Sequence, residues 1–136
     1  MLSILAASML MMTSVPAHAP TVETGVTDWA KLPKVKKKAR ALELSPLIDF
    51  AQKVLESGEC KVPGMRPDRF DLDIPYAVLV EPDGAVKRIV IGETGCPGLN
   101  TLIGSTVYNW VQQGDFRPTG ESEALWYGGR VAFAHE

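Results

Sequence analysis

Five stretches of the chain place apolar residues at regular intervals, and each predicts an element. The first opens at Ser45-Pro46, where Ser suits a helix N-cap and Pro the first helical position. Leu47, Phe50, Ala51, Val54 and Leu55 then share one face at helical spacing, and Gly58 stops the helix. Residues 61–73, with prolines, a glycine and alternating charges, read as loop. Tyr76–Val80 is a strand by its β-branched and aromatic content. Glu81-Pro82-Asp83-Gly84 has the residues of a tight turn, and Ala85–Ile91 returns to complete a hairpin. Leu99, Leu102, Ile103, Thr106, Val107, Trp110 and Val111 form the clearest helical stripe, predicted to end at Gly114. Leu125–Ala134 is the last strand.

The order α-β-β-α-β over residues 45–136 predicts an α+β domain: a three-stranded antiparallel sheet with helices packed mainly on one face. In the last strand Leu125, Tyr127, Val131 and Phe133 share one side, while Trp126, Arg130, Ala132 and Ala134 share the other. The hairpin strands are apolar on both sides. A sheet solvated on one face alternates more cleanly, so the second face is expected to be covered by the N-terminal segment or by a partner.

Two segments precede this domain. Leu2–Met12 is apolar and uncharged, and Ala17-His18-Ala19 follows, the pattern of a cleavable signal peptide over residues 1–19. A membrane-spanning helix needs about 20 apolar residues, so the run is too short to span. It lacks a basic residue ahead of it, and Pro20 follows the cut; cleavage after Ala17 is the alternative. The expected address is the periplasm, with secretion as the alternative. Residues 20–44 read as a polar, basic segment without a core of its own.

Charge is segregated. The chain has 14 basic and 16 acidic residues, a net charge of −2 that gives no reason to expect nucleic acid as a partner. Lys31–Arg40 holds six of the basic groups and no acid, so the rest of the chain carries 8 basic against 16 acidic. Lys34, Lys36, Lys37 and Lys38 could meet an anionic envelope surface, or the run could be a self-repelling solvated linker.

Candidate chemistry is sparse. Cys60 closes the first helix and Cys96 precedes the second. In an exported protein they are expected to form a structural disulfide, which over 36 residues would stabilise the fold by on the order of 3–4 kcal/mol. The other reading makes Cys96 a reactive thiol at a helix start, the nucleophile of a small thiol-dependent enzyme. Only His18 and His135 are present, so no metal-ligand set or base-nucleophile pair is legible, and no phosphate loop or cofactor motif appears. Asp68, Asp71 and Asp73 lie among Arg66 and Arg69 without the spacing of a calcium loop. Trp126, Tyr127 and Arg130 are the candidate binding residues, since aromatic side chains and Arg are enriched at interfaces.

From about Ile74 to His135 the chain resembles the C-terminal domain of TonB and its relatives. The resemblance rests on the apolar strand, the Pro82-Asp83-Gly84 turn and the Val/Ile-rich return. It continues through Thr94-Gly95 before a helix opening Leu99-Asn100, Phe116-x-Pro118, Gly120, and a strand ending Val131-x-Phe133. It covers under half of the chain. It implies a non-catalytic periplasmic module that binds a peptide or protein partner along a sheet edge, or forms a homodimer through it. The sequence departs from TonB in having no spanning anchor, no long Pro-rich spacer, no Tyr-Pro before the first helix, and a cysteine pair. Transmission of force across an envelope is therefore not implied.

Overall fold

The computed structural model describes residues 20–35, 42–113 and 122–136. The signal-like residues 1–19, the second half of the basic run (residues 36–40), Gly114, Phe116-x-Pro118 and Gly120 lie outside them. Among the described residues no helix is long and apolar enough to cross a membrane.

Secondary structure runs β1 (Val22–Thr24), a 3₁₀ turn (Trp29–Lys31), α1 (Ser45–Ser57), β2 (Phe70–Val80), β3 (Val86–Ile91), α2 (Pro97–Gln113) and β4 (Leu125–His135). The four strands make one sheet in the order β1-β3-β2-β4. β3 and β4 flank β2 antiparallel, while β1 runs parallel to β3. The three-stranded antiparallel sheet expected from the sequence is thus corrected to a four-stranded mixed one. The missing strand lies in the polar N-terminal segment. A three-residue strand, Val22-Glu23-Thr24, has no apolar period of its own, and its place is set by pairing to β3.

A second correction concerns β2. Its first four residues, Phe70-Asp71-Leu72-Asp73, lie in the stretch read as loop, and Ile74 follows directly. Phe70, Leu72 and Ile74 are buried while Asp71 and Asp73 are exposed, the alternation of a half-buried strand. β2 and β4 pair without interruption from Phe70↔His135 to Val80↔Leu125. At α1 the N-cap is Leu44, with no side-chain cap bond, and Ser45 is already helical. Gly58 ends this helix as expected, in the left-handed conformation (φ 79°) that favours glycine.

Both helices lie on one face of the sheet, α1 against α2 and β4, α2 against β3 and β1. The core between the layers contains Leu47, Val78, Ile89, Ile91, Leu99, Ile103 and Val107, all fully buried. Burying such side chains contributes about 1.5–3 kcal/mol each, which makes this layer the main source of stability. The α2 stripe is turned slightly from the expected one. Asn100 and Gly104 are buried, whereas Leu102 and Trp110 are only partly so. Gly104 is there because β1 is: any Cβ on it would overlap the Val22 side chain.

Cys60 and Cys96 stand at disulfide distance, their Cα atoms 5.4 Å apart, joining the end of α1 to the start of α2. The turn before Cys96 is held by a buried network. The Thr94 hydroxyl accepts from the Cys96 amide at 3.1 Å, and Asn100 Oδ1 accepts from the Thr94 amide at 3.1 Å. Asn100 Nδ2 in turn donates to Glu93 at 2.6 Å.

Two outcomes test this architecture. Gly104→Leu should cost about 1–3 kcal/mol in chemical denaturation despite Leu's better helix propensity, because β1 must lift away. The Gly25 amide, which donates to the Ile91 carbonyl at 3.1 Å, should lose hydrogen-exchange protection in the same variant. Reduction of the cysteine pair should lower stability by about 2–4 kcal/mol, read from urea curves with and without reductant.

Candidate functional site

Residues of alternate parity on the strands face away from the helices. On β3 these are Arg88 and Val90, on β2 Ala77 and Leu79, and on β4 Trp126, Gly128 and Arg130. Strand register arranges them in two rows. Glu23 stands beside Val90, Val90 beside Ala77, and Ala77 beside Gly128. In the next row Leu79 stands between Arg88 and Trp126. The Arg88 guanidinium reaches over Leu79 and lies 5.2 Å from the centre of the Trp126 ring, within cation–π range.

Arg88 is also fixed from the other side. Its Nε donates to one Glu23 carboxylate oxygen at 3.0 Å and its Nη2 to the other at 2.7 Å. This bidentate pair holds the Glu23 carboxyl below its ordinary value and raises Arg88. The pair lies at the surface and contributes orientation more than stability.

The N-terminal segment passes over this face. From β1 it continues through Gly25–Thr27 and the 3₁₀ turn, and Leu32 comes down on Gly128. A Cβ built on Gly128 would lie 3.0 Å from Leu32 Cβ. The chain then reaches the outer edge of β4, where Lys34 forms a parallel bridge with Gly128. The Gly128 amide donates to the Pro33 carbonyl at 2.8 Å, and the Val35 amide donates to the Gly128 carbonyl at 3.2 Å. Between this strap and the sheet is a groove of about 410 Å³. Val90, Ala77, Leu32 and Trp126 line it with apolar surface, and Arg88 and Glu23 supply its charged groups. An apolar hollow with a few convergent polar groups is the usual form of a ligand site.

The three residues singled out by sequence separate here. Trp126 lines the groove. Arg130 shares its face but lies one row beyond Gly128, where its Nε donates to Asp73 at 2.7 Å. Tyr127 is on the opposite side, buried among the core residues. The structure instead places Arg88, Glu23 and Leu32 around Trp126. Arg88 and Val90 were within reach of sequence reasoning, since period two puts both on one face of β3. Glu23 and Leu32 carried no such signal.

Lys34 is bonded through its neighbours to the β4 edge, while Lys36, Lys37 and Lys38 lie outside the described residues. Asp71 and Asp73 point outward from β2, and Arg66 pairs with Asp68 at 3.4 Å. Among the described residues no cluster of His, Cys, Asp or Glu could hold a metal ion. Cys96 is 2% exposed and Cys60 5%. Beside the pair, a shallow depression is lined by Leu55, Val62, Pro63, Met65 and Pro67. No family model, curated protein or solved structure matches the chain.

The Glu23–Arg88 pair gives a pH signature. A carboxyl depressed in the fold adds stability above its unfolded value of 4.5, and that contribution is lost as the pH falls through the lower folded value. The stability difference between the native chain and Glu23→Gln should therefore be constant near neutrality. It should shrink towards zero on acidification below pH 4.5, followed by denaturation at stepped pH.

Proposed function

We propose that this chain is a non-catalytic binding module, exported by residues 1–19 and acting in the periplasm, that holds a peptide or protein partner against β4 and the Trp126 face. The observation that carries this reading is the groove beside an edge strand. On β4 the backbone groups of Gly128 turn away from β2. By strand alternation those of Arg130, Ala132 and Ala134 turn away too, and no strand among the described residues pairs with them. An open edge is a template for strand addition, and the adjacent apolar hollow offers a place for a side chain of the added segment.

Further features support it. Two cysteines at disulfide distance suit an oxidising compartment. The TonB-like run of motifs between Ile74 and His135 points to the same kind of module. Ala132 and Ala134 put small, exposed side chains on the face beside that edge.

Affinity capture with the full chain lacking residues 1–19 tests this reading. A partner should be retained by the native surface and its retention reduced by about tenfold in Trp126→Ala, as expected when an aromatic anchor worth about 1.4 kcal/mol is removed. Capture indifferent to Trp126, or none from envelope extracts, would count against it.

A further inference from the structure

The strap already shows how an extended segment sits on this surface. Leu32 places its side chain against Gly128, beside Ala77 and Trp126, on the face away from the helices. Pro33 contributes its carbonyl to the Gly128 amide, a bond that needs no N–H from proline. Lys34 is exposed, and Val35 donates its amide to Gly128 while its side chain packs against the core. The segment thus runs parallel to β4, with one aliphatic side chain on each side of the sheet.

Its hold is slight. None of residues 21–34 is buried, and at the β4 edge the strap forms a single bridge. The surface beneath is closely shaped for it nonetheless. Gly128 has no side chain where Leu32 lies, and Ala77, next to Gly128 in the sheet, is 2% exposed. A surface shaped for a weakly held segment is suited to exchange of that segment.

Resting on the module reading above, we infer that Leu32–Val35 is an internal ligand, and that the partner is a peptide of the same chemistry: an extended segment parallel to β4, aliphatic-Pro-basic-aliphatic. The aliphatic residue takes the Leu32 position over Gly128. The proline supplies a carbonyl, the basic residue faces solvent, and the last aliphatic residue packs where Val35 does. Binding requires the strap to leave, so the strap competes with the partner as a tethered copy at high effective concentration.

The test uses the full chain and a fluorescein-labelled peptide with the sequence of residues 29–35, followed by anisotropy. Leu32→Asp in the chain weakens the strap without altering the sheet. The peptide should bind this variant about tenfold or more tightly than the native chain, since the tethered competitor is lost. Binding should disappear when the peptide's own Leu is replaced by Asp, and when Gly128→Val is added to the chain. Circular dichroism checks that each variant folds, and the Asp-bearing peptide keeps the test valid if Gly128→Val does not. Equal affinity for both chains, or indifference to the peptide's Leu, overturns the inference. A native dimer that the peptide dissociates would give the site to a second copy and overturn it as well. If the peptide fails while Trp126-dependent capture persists, the inference falls and the module reading stands; if both fail, both fall.

Discussion

The uninterrupted ladder between β2 and β4 joins parts of the chain 45 to 65 residues apart, from Val80↔Leu125 to Phe70↔His135, and the other elements are placed by it. It fixes register, so every inward residue of β2 meets an inward residue of β4. That puts Ile74 beside Val131 and Val78 beside Tyr127 under the helices, and Ala77 beside Gly128 on the other face. A slip of one residue would send Trp126 into the core and Tyr127 outward. The hairpin return then brings β3 to the far side of β2, and α2 covers β3 while α1 covers β4. The cysteine pair ties the two helices where they approach, and the Thr94–Asn100–Glu93 network holds the turn that delivers Cys96.

Elements with a long apolar period were legible in the sequence. α1, the hairpin, α2 and β4 all appear close to where spacing puts them, because each buries a continuous face. The start of β2 was obscured by its aspartates, although Phe70, Leu72 and Ile74 keep period two. β1 was not legible, since three residues bury too little to leave a pattern. Its signal lies elsewhere, in a glycine of α2 that makes room for Val22. The site divides on the same principle. Trp126 and Arg88 follow from strand alternation once register is known. Leu32 and Glu23 depend on where a polar segment crosses the sheet, and only tertiary structure carries that information.

The two arginines on the Trp126 face of the sheet behave differently for a geometric reason. Arg88 is clamped by both oxygens of Glu23 and spans a strand to reach the indole. Arg130 instead turns to Asp73 on the neighbouring strand. Each guanidinium is held by a carboxylate, so this face presents oriented hydrogen-bonding groups without a net excess of positive charge.

One stretch of chain, residues 20–35, lies along the exposed flank of β3 and also along part of the flank of β4. Unpaired flanks are where sheets of different molecules join and aggregate. Detaching this stretch would uncover both sides of the sheet together. The solubility of the folded protein is thereby linked to a stretch that contains no buried residue, and proteolytic clipping near residue 35 would produce a species prone to self-association.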